Sequence, residues 1–208
     1  MKYFIASLTG VVLVGCNIGG HYEYSKEALH KTDMTFVCIP TAFGFGFTGT
    51  TVPIDKNYSL TAKHVSKYTL NSVVAKSEKC DVSIIKHANN ITTKTTFSEA
   101  KLGENVTLYG YSGLSGMPVE SKGKMLRNVK VDGSYETKDC THVTTNAGGV
   151  SGMSGGVVYN NHGDITGIIT SLCTGHNCKK NEHAIILPYI QFKDLLIKAG
   201  VDYEEVKH

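Results

Sequence analysis

The sequence predicts an all-β fold of two small antiparallel barrels followed by one C-terminal helix. Two observations carry this reading. Short runs rich in β-branched and aromatic residues, separated by Gly, Asn, Asp or Lys clusters, occur in two consecutive sets. A sustained helical spacing of apolar residues occurs only near the end of the chain. Size agrees: 208 residues, 41% hydrophobic, with 22 Gly and only 4 Pro, suffice to bury a core in one domain or two small lobes.

In chain order, residues 1–15 read as a signal peptide. Lys2 supplies a short positive region and residues 4–14 an apolar one of 11 residues, too short to span a bilayer as a helix. Leu13-Val14-Gly15-Cys16 resembles the bacterial lipobox, which implies that Cys16 is acylated and becomes the mature N-terminus. Asn17 in the next position favours, by resemblance to enterobacterial lipoproteins, the periplasmic face of the outer membrane. Residues 16–33 are polar and lack a strand period, so they are expected to form a lipidated tether, with a helical turn around 25–29.

The first barrel is expected over 34–115, with strands at 36–39, 43–51, 58–62, 68–75, 82–85 and 106–109. The second is expected over 116–189, with strands at 124–131, 142–145, 157–159, 165–170 and 184–187, and Asn160-Asn161-His162-Gly163 as a hairpin turn. From Pro188 onward Ile190, Phe192, Leu195, Leu196 and Ile197 follow helical spacing and Gly200 ends the run, which predicts a helix over 190–200. The formal charge of +3 is spread along the chain. Its densest basic run, Lys122, Lys124, Arg127 and Lys130, has strand spacing and reads as a solvated face, so no nucleic-acid partner is expected.

The chemistry concentrates at Gly152-Met153-Ser154-Gly155-Gly156, where one hydroxyl nucleophile sits among three glycines. Glycine lets the backbone turn sharply and leaves its N–H groups uncrowded, which is what an oxyanion site needs. Upstream lie His64, in Leu60-Thr61-Ala62-Lys63-His64-Val65, and Asp81, in Cys80-Asp81-Val82-Ser83-Ile84-Ile85-Lys86. By spacing alone Asp33 and Asp55 compete as the acid. Asp81 is preferred because Val82, Ile84 and Ile85 would bury it at a strand start, where an orienting carboxylate must sit. The pentapeptide also fits G-x-S-x-G with Asp164 and His183 following, but that fold requires a helix directly after the serine, and Val157-Val158-Tyr159 reads as a strand.

These three segments, in the order His, Asp, Ser, resemble the trypsin/chymotrypsin-like serine peptidases, whose signatures read LTAxHV, DxAxxK and GxSGG. The likeness extends to Gly44-Phe45-Gly46-Phe47, to the crossover between Gly103 and Lys124, and to Gly167-Ile168-Ile169-Thr170-Ser171, covering about 36–196. It implies two six-stranded barrels, a triad of His64, Asp81 and Ser154, an oxyanion hole from the N–H groups of Gly152 and Ser154, and no cofactor. Gly148, Val150, Thr170, Ser171 and His183 would line the substrate pocket. With Gly148 at its base there is no buried carboxylate for Arg or Lys, so small apolar or polar side chains are expected, and an acidic one if His183 faces inward and is protonated. The chain departs from the family in two places. The gap from His64 to Asp81 leaves room for one hairpin only, and Met153 stands where digestive relatives carry an aspartate that pairs with a freed N-terminus.

Six cysteines agree with export. With Cys16 acylated, Cys173 and Cys178 are spaced to close a small disulfide loop beside the cleft, while the pairing of Cys38, Cys80 and Cys140 stays open. A zinc site of Cys173, Cys178, His176 and His183 is the sharper alternative, unsupported by a second Cys-x-x-Cys; no metal is expected. The implied partners are a protein or peptide substrate and, through the lipid, a membrane. The rival from another class is a catalytically silent binding lipoprotein on the same fold.

Overall fold

The computed structural model describes residues 18–38, 46–131, 140–174 and 178–208. Residues 1–17, with the signal peptide and Cys16, lie outside them. The elements run β1 Ile18–Gly19, β2 Glu23–Tyr24, α1 Ala28–Lys31, β3 Asp33–Cys38, β4 Gly46–Pro53, β5 Tyr58–Thr61, α2 Lys63–Ser66, β6 Val73–Lys76 and β7 Ser83–Lys86. There follow β8 Thr95–Phe97, β9 Asn105–Tyr111, β10 Pro118–Lys130, β11 Thr141–Thr145, β12 Gly149–Val150, β13 Val157–Asn160, β14 Ile165–Leu172 and β15 Ala184–Pro188. A 3-10 turn at Tyr189–Gln191, α3 Lys193–Ala199 and β16 Tyr203–Glu205 complete the chain. None of the described helices is long and apolar enough to cross a membrane.

The second lobe is a closed six-stranded antiparallel barrel in the order β13-β9-β10-β11-β15-β14, with β14 returning to pair with β13. Alternate residues point inward, so Val106, Leu108, Val119, Met125, Val143, Val158, Ile169 and Ile186 fill one core. The first lobe is a five-stranded antiparallel sheet, β3-β4-β5-β7-β6, among the described residues. The strand expected as its sixth, at 106–109, belongs to the other barrel as part of β9. Its inward side chains complete that barrel's core, which decides the matter.

The open side of the first lobe is filled from the far end of the chain. Val52, Ile54, Leu60 and Ile84 share a core with Phe97, Tyr189, Phe192, Leu195 and Leu196. Phe97 stacks on Tyr189 at 5.0 Å between ring centroids and meets Tyr203 edge-on at 5.4 Å. This cluster needs the parallel ladder of β8 with β16, two strands with no counterpart in the sequence reading. The helix is shorter than expected, 193–199, and Gly200 caps it at φ +71° with N–H bonds to the Leu196 and Ile197 carbonyls.

The expected tether is a correction. From Ile18 onward it is docked on the second barrel: β1 pairs with β12 and β2 with β10. Ser25 then starts α1 by accepting the Ala28 N–H, while its hydroxyl donates to the buried Glu120 carboxylate at 2.6 Å. Two-residue strands carry no alternation for a sequence pattern to register, which is why polarity alone suggested a free segment.

Candidate active site

Strand register brings His64 and Asp81 together. Thr61 lies opposite Ser83 in the β5–β7 pair, so the residue three after Thr61 and the residue two before Ser83 leave the same end of the ladder. His64 falls on α2, which Ser66 fastens to Ser83 at 2.9 Å and Lys63 to the Ser77 carbonyl at 3.0 Å. Asp81 leaves the tight turn 77–82 and is 4% exposed. One carboxylate oxygen accepts the His64 backbone N–H at 2.9 Å, and the other lies 2.6 Å from Nδ1. A carboxylate on Nδ1 places the ring proton there and leaves Nε2 as the basic nitrogen. The short gap therefore holds one helical turn and one hairpin. Asp55 instead accepts the N–H groups of Asn57 and Tyr58 in a turn. Asp33 begins β3, paired opposite Thr51.

Ser154 sits half-buried on a loop clamped from both lobes. Met153, fully buried, drives its side chain into the barrel core. From the other lobe Thr50 donates its N–H to the Ser154 carbonyl at 2.9 Å and its hydroxyl to the Gly152 carbonyl at 2.8 Å. The same hydroxyl accepts the Tyr111 N–H at 3.0 Å, and the Thr50 carbonyl accepts from Thr61 at 2.7 Å. Gly152 at φ +102° and Gly155 at φ +86° make the turns, and any Cβ at Gly155 would run into the Thr50 carbonyl and the Thr61 hydroxyl. Met153, Gly155 and Gly156 spend their N–H groups on the carbonyls of Val150, Ile169 and Met153. The Gly152 and Ser154 N–H groups, the expected oxyanion donors, have no acceptor among the described residues. Ser154 Oγ donates to the Thr170 carbonyl at 3.4 Å. Thr50 is the residue that sequence reasoning missed: a threonine inside a strand carries no signal of a hub.

The pocket residues are arranged differently from the expectation. Val150 is buried in the barrel core, packed with Met153 and Ala184, and offers no wall. A Cβ on Gly148 would meet the His21 backbone, and the His183 ring lies against Gly20. What closes over this wall is Leu172, whose Cδ2 lies 2.6 Å from a Cβ built on Gly149. Thr170 is buried, with its hydroxyl on the Ile185 carbonyl, and Ser171 is half-buried. A groove of about 670 Å³ opens beside His64 and Asp81, lined also by Lys67, Tyr68, Val73 and Lys76.

Two disulfides brace the site. Cys173–Cys178 closes the expected loop, with Glu182 beside it; His176 lies outside the described residues. Cys80–Cys140, a pairing left open by the sequence, ties the Asp81 turn to the start of β11 and so joins the lobes next to the acid. Buried Glu182 was also missed. Burial pushes its carboxyl up, but bonds from Arg127, the Lys179 N–H and Thr144 outweigh that and hold it below the usual range. Behind Asp81, His142 is 1% exposed, and burial lowers its pKa against the opposing effects of the Cys140 backbone and the Asp81 charge. The hydrolase alternative fails on geometry: a strand follows the serine, and Asp164 pairs with His208 at 2.5 Å.

Solved protease structures share this fold. The Rv3671c protease from M. tuberculosis in its active form superposes with a TM-score of 0.68 at 18% identity, over 84% of this chain and 82% of that one. The HtrA-type protease AlgW with a tripeptide gives 0.65 at 16%, over 84% of this chain and 64% of its own. The serine endoprotease from Yersinia pestis gives 0.61 at 17%, over 83% and 65%. No family model and no curated protein matches the chain. The chain thus has the chymotrypsin-like double-barrel fold of HtrA-type, trypsin-like serine proteases.

Proposed function

We propose that this chain is a serine endopeptidase, working through a covalent acyl-enzyme and held at a membrane by an acylated Cys16. One observation carries the catalytic reading: a buried carboxylate fixes His64 through Nδ1 while Ser154 stands on a loop whose Gly152 and Ser154 N–H groups have no acceptor among the described residues. Ser154 Oγ turns to His64 Nε2, gives it the proton and attacks the substrate carbonyl. The oxygen that becomes negative is received by the Gly152 and Ser154 N–H groups, donors already fixed and needing no reorganisation. The imidazolium, stabilised by Asp81, returns its proton to the leaving amine as the C–N bond breaks. Water then repeats the sequence on the ester.

Leu172 against Gly149, and the lack of a carboxylate at Gly148, support a preference for small side chains at the primary pocket. AlgW carries a bound tripeptide in one of the similar structures, which supports a peptide substrate. Ser154→Ala should abolish cleavage of a peptide library while the protein stays folded; unchanged proteolysis would end this reading. The anchoring reading rests on Leu13-Val14-Gly15-Cys16 followed by Asn17, which favours the outer membrane. Intact mass of the mature protein tests it, with Cys16→Ser expected to lose the acyl chains.

A further inference from the structure

Docking begins only two residues after Cys16. Ile18 lies opposite Val150 and Gly19 opposite Gly149, immediately before the nucleophile loop. Gly20 is left-handed at φ +68°, and a Cβ there would lie 2.6 Å from His183 Cδ2 and 2.9 Å from the Gly148 Cα. Here the backbones approach so closely that only glycine fits. The His21 carbonyl then accepts the Ser121 hydroxyl at 2.8 Å, Glu23 and Tyr24 pair with β10, and the Ser25 N–H donates to the Pro118 carbonyl at 3.1 Å. A free segment of the expected length would let the body wander by roughly 20–25 Å and turn in all directions. A docked one allows neither.

We infer that the cleft works against the bilayer surface, and that its substrates are polypeptide segments themselves held at that surface. The inference rests on the acylation of Cys16 and on the peptidase reading given above. Chain geometry sets the distance. Two residues reach from Cys16 to Ile18, one strand pair crosses to Val150, and four residues lead on to Ser154. Fully extended, that path puts the nucleophile within about 26 Å of the acylated residue, whatever its course. Lys124, which follows Gly123 packed on Ala147, is exposed, as are Lys179 and Lys180, which precede Glu182 and His183. Anionic headgroups attract such lysines. A soluble protein must enter a cleft shadowed by lipid. A segment anchored in the same leaflet meets it at high effective concentration.

The test reconstitutes the full lipidated protein in phosphatidylethanolamine/phosphatidylglycerol vesicles with a quenched fluorescent peptide of small residues. The peptide is supplied free or coupled to a phospholipid headgroup through spacers of about 10 Å and about 80 Å. The short-spacer peptide should be cleaved with a kcat/KM about tenfold above the long-spacer one. Inserting a Gly/Ser segment of about 15 residues between Asn17 and Ile18 restores a flexible tether and should bring the two within about twofold, with the free peptide cleaved as before. Equal cleavage at both spacers by the wild-type protein, with the free peptide cleaved, would overturn the inference. Unacylated Cys16 by intact mass, or cleavage of the free peptide surviving Ser154→Ala, would withdraw it through one premise or the other, and the two readouts tell these apart.

Discussion

The second barrel closes on itself, whereas among the described residues the first lobe ends in an edge strand, β6, whose Val73 and Val74 are exposed. The candidate site residues are divided between them accordingly. The closed barrel carries Ser154 on a loop rooted by buried Met153, and the open lobe carries His64 and Asp81 on one helical turn and one hairpin. A closed barrel shares strain around every strand, while an open sheet relies on attachments. Those attachments are identifiable: Cys80–Cys140, the Thr50 hub, and the aromatic plug of Phe97, Tyr189 and Phe192. The lesson is that the placement of Ser154 relative to His64 and Asp81 depends on how the lobes are joined more than on either lobe alone.

The largest effect should come from the open lobe's acid. Asp81→Asn keeps the shape but favours the wrong imidazole tautomer, and kcat should fall by about 10⁴ with folding intact. A loss below about tenfold would mean that His64 is oriented by something else.

Next come the roots of the two lobes. Met153→Ala empties a fully buried site in the closed barrel and should cost about 2–5 kcal/mol in chemical denaturation. Replacing Cys80 and Cys140 by Ala should cost a comparable 2–5 kcal/mol, roughly, but act unevenly. Hydrogen exchange in β6 and β7 should rise far more than in β9 and β10, and equal acceleration in both lobes would show that the disulfide braces both alike.

Thr50→Val removes a hydroxyl that serves the Gly152 carbonyl and the Tyr111 N–H, leaving both buried groups short of a partner. About 1–3 kcal/mol of stability should be lost. Because the loop it holds carries the oxyanion donors, kcat should fall more than KM rises.

The smallest effect concerns pH. His142 is buried and its pKa is lowered, so the unfolded chain takes up a proton near the ordinary histidine value, about 6.5, before the folded protein does. Its contribution to stability is therefore full above that value and is lost as pH falls through the lower folded pKa. The melting temperature should decline between about pH 7 and pH 5, less steeply in His142→Gln. An unchanged slope in that variant would assign the decline to other histidines.

The same contrast explains what could be read from the chain beforehand. Short local signals were legible: glycines around Ser154, the strand before His64, the Gly200 cap, and the six-residue cysteine loop from Cys173 to Cys178. Connections made across the fold were not. β8 and β16 pair in parallel across about half the chain, with no hairpin turn between them to signal it. Thr50 acts through Gly152, 102 residues away, Glu182 through Thr144 and Arg127, 38 and 55 residues away, and Cys80 through Cys140, 60 residues away. The membership of 105–111 in the second barrel depends on which core its alternate residues complete, and strand periodicity is the same for either.

The central claim is that a nucleophile on one lobe is activated by an acid–base pair on the other. It is tested most directly by intact mass spectrometry after treatment with a fluorophosphonate probe, comparing wild type with His64→Ala. The account predicts one adduct per chain, mapped to Ser154, forming at least about 10³-fold more slowly when His64 is removed. No adduct on Ser154, or labelling at the same rate without His64, would contradict it.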